Sequence, residues 1–121
     1  MHTALIVEDT LTEREILTSC LQKAGLNVLT AKSGEEALET ISSNKPDVII
    51  LDVVLPGRSG FELCRELKAD AATSKIPVVI CSTKNSDMDR FWGMKQGADA
   101  FIPKPVDQEE LLRTIKQLIK A

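Results

Sequence analysis

The chain has 121 residues, the size of one domain, and we expect residues 1–121 to fold as a single unit. Hydrophobic residues make up 43% of the chain and charged residues 27%, a composition that excludes disordered, collagen-like and coiled-coil proteins. The net charge of −3, without any basic stretch, argues against direct binding to nucleic acid.

The N-terminal sequence and the cysteines favour a cytoplasmic protein. Residues 1–9 run directly into a strand-like segment and contain no export signal. The longest apolar runs have about five residues, whereas a membrane-spanning helix needs about 20, so we expect no membrane association. Cys20, Cys64 and Cys81 are widely spaced, and we expect them to be reduced and partly buried.

Five short apolar runs alternate with helical segments along the chain. The runs are continuous rather than alternating, which is typical of strands covered on both faces of a parallel sheet. We predict strands at residues 4–7, 28–31, 48–51, 78–81 and 100–102.

Each predicted strand is followed by residues typical of a helix start. A serine, threonine or aspartate precedes an acidic residue by three positions, which is the capping-box spacing. Three pairs fit the box and the last two resemble it: Thr10 with Glu13, Ser33 with Glu36, Ser59 with Glu62, Ser86 with Asp89, and Asp107 with Glu110.

The first and fifth predicted helices carry apolar faces at helical spacing. The first face comprises Ile16, Leu17, Cys20 and Leu21, and the second comprises Leu111, Leu112, Ile115, Leu118 and Ile119. Gly25 and Gly97 stand where the first and fourth helices should end, so we expect each to adopt a left-handed C-cap.

The repeated strand–helix pattern predicts an α/β fold. Five such units give a doubly wound, five-stranded parallel sheet with five helices on its two faces. The flavodoxin-like strand order 2-1-3-4-5 suits this pattern best.

Polar side chains follow the predicted strands at the sheet edge where α/β proteins place their chemistry. Glu8 and Asp9 follow the first strand and Asp52 follows the third, which would be its neighbour. We therefore expect these three carboxylates to converge, with Ser82 from the fourth strand and Lys104 from the fifth beside them.

Converging carboxylates repel one another, and a hard divalent cation is the simplest way to stabilise them. Oxygen ligands completed by water suit Mg²⁺. Lys104 adds a positive charge and Ser82 a hydroxyl donor, so the group would cradle a phosphoryl group on one carboxylate. Asp52 is then the candidate nucleophile.

This set of residues resembles the response-regulator receiver domain along the whole chain. The family pattern is an acidic pair after strand 1, an accepting aspartate after strand 3, a serine or threonine after strand 4, and Lys-Pro after strand 5. Here these are Glu8 and Asp9, Asp52, Ser82, and Lys104 with Pro105. The segments 52–57, 59–62 and 97–100 are similar to the family's sequences at the same places.

The resemblance implies a two-component phosphorelay protein. Asp52 would accept a phosphoryl group from a phosphohistidine on a sensor histidine kinase and be the phosphorylated residue, with Lys104 and Ser82 as the other catalytic residues. Mg²⁺ would be held by Asp9, Asp52 and the carbonyl of Val54, with Glu8 acting through water. It also implies a cis peptide bond before Pro105.

The resemblance further implies a switch and an output surface. Ser82 would swing towards the phosphoryl oxygens and Phe101 would turn inward behind it. The face built from the fourth helix, fifth strand and fifth helix would then change its affinity for an effector protein. Phe101 stands where many members have tyrosine, and Val54 cannot position an attacking water, so we expect a moderately long-lived phosphoryl-aspartate.

Residues 89–98 are similar to single-domain regulators of type IV pilus twitching motility and phototaxis. Phe91 and Trp92 within this segment have two interpretations. They would either pack the fourth helix against the domain or form an exposed anchor for a partner, and Met88 and Met94 would suit either.

Three other functions fit these residues less well. A haloacid-dehalogenase-type phosphatase would need a second aspartate at position 54, where the chain has Val54. A flavodoxin-like cofactor carrier would need phosphate-binding loops, whereas the loop after the first strand is acidic. A constitutive binding module would not need the complete set of site residues. The expected protein is thus a switch rather than an enzyme acting on external substrates, and a monomer or weak dimer, although a receiver detached from a longer protein remains an alternative.

Overall fold

The computed structural model describes residues 2–119, and strands and helices alternate along them in the predicted order. The strands are β1 (Thr3–Val7), β2 (Asn27–Ala31), β3 (Val48–Leu51), β4 (Val78–Ser82) and β5 (Ala100–Pro103). The helices are α1 (Leu11–Lys23), α2 (Gly34–Ser43), α3 (Gly60–Ala69), α4 (Asp87–Lys95) and α5 (Gln108–Leu118).

The strands form one parallel sheet in the order β2-β1-β3-β4-β5, which confirms the predicted doubly wound α/β fold. In the register, Val7 lies beside Leu51 and Ser82 beside Pro103. The carboxyl ends of β1, β3, β4 and β5 therefore meet at one edge, and the polar residues that follow them are brought together.

Each face of the sheet packs against its own helices. Leu5 and Val7 of β1 join side chains of α2 and α3 in one core cluster, whereas Ala4 and Ile6 join side chains of α1 and α5 in the other. Burial on both faces is the physical reason for the continuous apolar runs. The predicted face of α1 was one residue too wide, because Ile16 is 49% exposed while the other three members are buried.

The helix starts follow the serine and aspartate signals at four of five positions. The side chains of Ser33, Ser59 and Asp107 each accept a hydrogen bond from the backbone three residues on, and Ser86 forms a complete capping box with Asp89. α1 also begins directly after Thr10, as predicted, but the Thr10 side chain makes no cap hydrogen bond, so the capping box predicted there is wrong.

The predicted C-cap glycines are confirmed, with φ of 91° at Gly25 and 104° at Gly97. All three cysteines are free and buried, and burial raises the pKa of Cys64 to about 11 and of Cys81 to about 12. These thiols are therefore protonated and serve as small apolar side chains. Within residues 2–119, no helix has the length and apolar character to cross a membrane.

Candidate functional site

Backbone hydrogen bonds hold four polar residues at the carboxyl edge of the sheet. The N–H of Glu8 donates to the carbonyl of Ala31 at 2.9 Å, and that of Asp52 donates to the carbonyl of Val7 at 3.1 Å. The N–H of Lys104 donates to the carbonyl of Ser82 at 3.1 Å. These bonds extend the sheet ladders past the strand ends and so fix the backbone that carries each side chain.

The Lys104 ammonium lies between two carboxylates and ties them together. Its Nζ donates to Glu8 Oε1 at 2.6 Å and to Asp52 Oδ2 at 3.0 Å. The three side chains are only 5%, 2% and 11% exposed. Burial lowers the pKa of Lys104, but the hydrogen bonds to Glu8 and Asp52 outweigh it and raise the pKa above its usual value. Lys104 is therefore charged at neutral pH.

Asp52 is held at both its side chain and its backbone. Its Oδ1 accepts a hydrogen bond from the N–H of Val54 at 3.3 Å. Gly60 at the start of α3 lies against its backbone, where an added Cβ would come within 2.0 Å of the Asp52 carbonyl oxygen. Only glycine fits at this position, and its closeness sets where the loop between β3 and α3 leaves the site.

Ser82 connects the site to the start of α4. Its Oγ accepts a hydrogen bond from the N–H of Lys84 at 3.1 Å, and its carbonyl accepts one from Asn85 Nδ2 at 3.0 Å. Arg90 Nε donates to the Asn85 carbonyl at 3.3 Å, and the Arg90 guanidinium lies 5.7 Å from the ring centroid of Phe101. A chain of contacts thus runs from Ser82 to Phe101, the two residues expected to form the switch.

The structure brings two of the three expected carboxylates, Glu8 and Asp52, to the Lys104 ammonium, and the place of Asp9 beside them stays a prediction. Within residues 2–119, no group of three or more His, Cys, Asp or Glu side chains lies close enough together to hold a metal ion. The Lys104 ammonium stabilises Glu8 and Asp52, whereas the Asp9 side chain is exposed. The donor types still fit Mg²⁺, because Asp9, Asp52 and the Val54 carbonyl supply only oxygen.

Two residues that shape the site, Arg14 and Glu13, were not expected there from the sequence. Arg14 Nη1 donates to the carbonyl oxygens of Glu8 and Asp9 at 2.9 and 3.2 Å, which fixes the acidic loop against α1. Glu13 Oε2 lies 3.7 Å from Lys104 Nζ. Their position on the first turn of α1, directly after the acidic pair, was the signal that could have indicated them.

The structure also describes Pro105 and Phe101, two residues for which the resemblance implied a conformation or a role. The peptide bond between Lys104 and Pro105 is cis. Phe101 is half-buried, and its ring packs on Gly93 of α4, where an added Cβ would lie 3.1 Å from it.

The outer face of α4 is unusually apolar. Phe91 is 60% and Trp92 46% exposed, and Met88 and Met94 are 73% and 47% exposed. The interpretation that Phe91 and Trp92 pack the helix onto the domain is wrong for these side chains. Their role as a partner surface stays a prediction.

Comparison with known proteins agrees with this geometry. A family model described as the response regulator receiver domain matches residues 4–116. The chain is 44% identical to protein PilH of Pseudomonas aeruginosa over 98% of both chains, whereas it spans about half the length of other curated relatives that it matches.

Solved structures share the fold. A putative response regulator from Chloroflexus aurantiacus superposes with a TM-score of 0.95 at 36% identity, covering 99% of this chain and 98% of that one. The receiver domain of the sensor histidine kinase PA1611 from Pseudomonas aeruginosa, which has a magnesium ion coordinated in its active-site cleft, superposes with a TM-score of 0.90 at 23% identity, covering 99% and 98%. The chain belongs to the response regulator receiver domain family.

Proposed function

We propose that residues 1–121 form a phosphorylation-controlled switch in which Asp52 accepts a phosphoryl group from the phosphohistidine of a histidine kinase. The observation that carries this proposal is the buried contact of Lys104 Nζ with Glu8 Oε1 at 2.6 Å and Asp52 Oδ2 at 3.0 Å. A lysine held against one carboxylate by a second carboxylate is placed to stabilise negative charge wherever it develops on Asp52.

In the transfer step, a carboxylate oxygen of Asp52 attacks phosphorus. The new P–O bond forms as the P–N bond to the histidine ring breaks, and the imidazole leaves with the electron pair and takes up a proton. Lys104 then pairs with the phosphoryl oxygens, which bring their own negative charge into the pocket as the Asp52 carboxylate loses its charge. The Ser82 hydroxyl donates to a phosphoryl oxygen after it turns from the Lys84 amide.

The family and the donor set support Mg²⁺ as the cofactor. Asp9, Asp52 and the Val54 carbonyl would hold the ion, with Glu8 acting through water. When bound, Mg²⁺ neutralises charge on the phosphoryl oxygens and so favours transfer to a carboxylate.

The output of the switch is a protein surface. The contacts from Ser82 through Asn85 and Arg90 to Phe101 give a route from the site to α4 and β5. Movement of Ser82 on phosphorylation would disturb this route and change how the α4–β5–α5 face binds an effector protein, with Trp92 and Phe101 at the contact.

The protein is then a cytoplasmic signalling switch, a monomer or weak dimer, and it phosphorylates and dephosphorylates itself rather than acting on external substrates. The similarity of residues 89–98 to twitching-motility and phototaxis regulators supports a role in pilus motility, phototaxis or chemotaxis.

The exposed apolar side chain of Val54 has no group to orient an attacking water, which supports a moderately long-lived phosphoryl group.

Intact-mass measurement tests the proposal directly. The wild-type chain is incubated with Mg²⁺ and acetyl phosphate beside an Asp52→Asn variant and an EDTA control. We expect one phosphoryl adduct on the wild type and none on the variant or with EDTA. An unmodified wild-type chain, or an adduct that survives in Asp52→Asn, would contradict the proposal.

A further inference from the structure

We propose that Glu13 is an electrostatic tuning residue of this site: its carboxylate strengthens Mg²⁺ binding and slows phosphorylation of Asp52 by anionic donors. The inference rests on the proposed function, since it concerns the same pocket. It starts from a contact that the family pattern does not contain, the 3.7 Å approach of Glu13 Oε2 to Lys104 Nζ.

The local structure explains why Glu13 faces the pocket. In a capping box, the Glu13 carboxylate would accept a hydrogen bond from the N–H of Thr10. That N–H donates instead to Glu8 Oε2 at 3.1 Å, and the Thr10 side chain makes no cap hydrogen bond. The carboxylate of Glu13 is thus released from the helix start and lies at ion-pair distance from Lys104.

Glu13 is the third carboxylate around one ammonium group. Glu8 and Asp52 accept hydrogen bonds from Lys104 Nζ at 2.6 and 3.0 Å, so the positive charge is already shared before Glu13 is counted. The Glu13 side chain is 40% exposed, which places its charge at the mouth of the pocket rather than inside it. An incoming ligand therefore meets this charge before it reaches Asp52.

The sign of the effect follows from Coulomb's law. A negative charge at the mouth favours a divalent cation and disfavours a phosphodonor that carries two negative charges. It also competes with the phosphoryl oxygens for Lys104. Exposed ion pairs contribute about 0.2–1 kcal/mol, so removal of the charge should change each quantity by about 1.4- to fivefold, in opposite directions.

The test compares Glu13→Gln with Glu15→Gln. Glu15 is an exposed carboxylate on the same helix, and residues two positions apart do not share a helix face, so it controls for the change in net charge. Calorimetric titration gives the Mg²⁺ dissociation constant without any phosphodonor. The rate of Asp52 phosphorylation is then measured with acetyl phosphate and with the less negatively charged phosphoramidate, at saturating Mg²⁺.

For Glu13→Gln we expect Mg²⁺ to bind about 1.4- to fivefold more weakly and acetyl phosphate to react about 1.4- to fivefold faster, with a smaller gain for phosphoramidate. Glu15→Gln should change neither quantity by as much. Equal effects of the two variants, or Mg²⁺ affinity unchanged in Glu13→Gln, would overturn the inference.

The Mg²⁺ titration and the phosphorylation rate together distinguish failure of this inference from failure of the proposed function. A wild-type chain that binds Mg²⁺ but is never phosphorylated would contradict the proposed function, and the Mg²⁺ titration alone would then decide the role of Glu13. A wild-type chain that is phosphorylated, with Glu13→Gln indistinguishable from it, would overturn only the role of Glu13.

Discussion

The pocket at the carboxyl edge of the sheet and the outer face of α4 depart from ordinary burial in opposite ways. In the pocket, the charged side chains of Glu8 and Lys104 are 2% and 5% exposed. On α4, the apolar side chains of Phe91 and Trp92 are 60% and 46% exposed. Either arrangement costs free energy unless something compensates for it.

The compensation differs between the two regions. The buried charges compensate one another, because the Lys104 ammonium pairs with Glu8 and Asp52 through short hydrogen bonds. The exposed apolar side chains of the α4 face have little such compensation, apart from the Lys95 ammonium, which lies 5.8 Å from the ring centroid of Phe91. The pocket is therefore a self-contained unit, whereas the α4 face gains most from contact with another molecule. Substitutions in each region test this difference.

The largest expected effect comes from removing the central cation. Lys104→Met leaves the Glu8 and Asp52 carboxylates buried without a cation to pair with, so the free energy of unfolding should fall by about 3–5 kcal/mol. Urea denaturation at pH 7 measures the loss, with Lys84→Met as a control because the Lys84 side chain is 55% exposed. A loss below about 1 kcal/mol would show that the buried contact is not the stabilising unit of the pocket.

A smaller loss should follow from disturbing the backbone under the pocket. Gly60→Ala places a Cβ 2.0 Å from the Asp52 carbonyl oxygen, and the backbone must shift to accommodate it. We expect a loss of about 1–3 kcal/mol and weaker phosphorylation of Asp52. Gly93→Ala is the matched variant under α4, where the nearest atoms are side-chain carbons of Ile80 and Phe101 at 3.1 Å. It should cost less, and the opposite order would contradict this reading of the two sites.

A smaller effect of the Lys104 contact is expected in the free energy of unfolding at alkaline pH. Burial lowers the pKa of Lys104, but its hydrogen bonds raise the pKa by more than burial lowers it. The folded-state pKa therefore exceeds the unfolded value of about 10.4. The stabilisation is complete below that pH and is lost as the pH rises through the folded-state pKa. The difference in unfolding free energy between wild type and Lys104→Met should therefore shrink above about pH 10.4. A difference that stays constant from pH 8 to 11 would contradict the raised pKa.

The smallest effect is expected on the α4 face. Trp92→Ala removes an exposed side chain, so the free energy of unfolding should change by no more than about 0.5 kcal/mol and the phosphorylation rate of Asp52 should be unchanged. Thermal unfolding and intact-mass kinetics provide the two measurements. A loss of stability comparable to that of Gly60→Ala would mean that Trp92 supports the fold rather than a partner contact.

The sequence predicted the sheet and the residues at its edge because both depend on strong local signals. Continuous apolar runs marked strands buried on both faces, and the strand order placed Asp52 next to Glu8. Lys104 was expected to oppose the acidic residues, and the structure shows it in contact with two of them.

The remaining features depend on competition between neighbours, which spacing alone does not resolve. Thr10 has the capping-box spacing, but its N–H donates a hydrogen bond to Glu8 rather than to Glu13. Asp9 adjoins Glu8 in sequence, yet only Glu8 reaches the Lys104 ammonium. Ile16 has the helical period of a core residue, but the width of the buried face is set by how α1 rests on the sheet, and this leaves Ile16 49% exposed.

If phosphorylation of Asp52 changes the α4 face, the fluorescence of Trp92 should report the change, because Trp92 is the only tryptophan in the chain. We would record its fluorescence while acetyl phosphate and Mg²⁺ are added to wild type and to Asp52→Asn, with intact mass followed in parallel. We expect a change in Trp92 emission that grows with the phosphoryl adduct in the wild type and is absent in Asp52→Asn. A phosphoryl adduct that forms fully while the emission of Trp92 stays constant would contradict the link between the pocket and the α4 face.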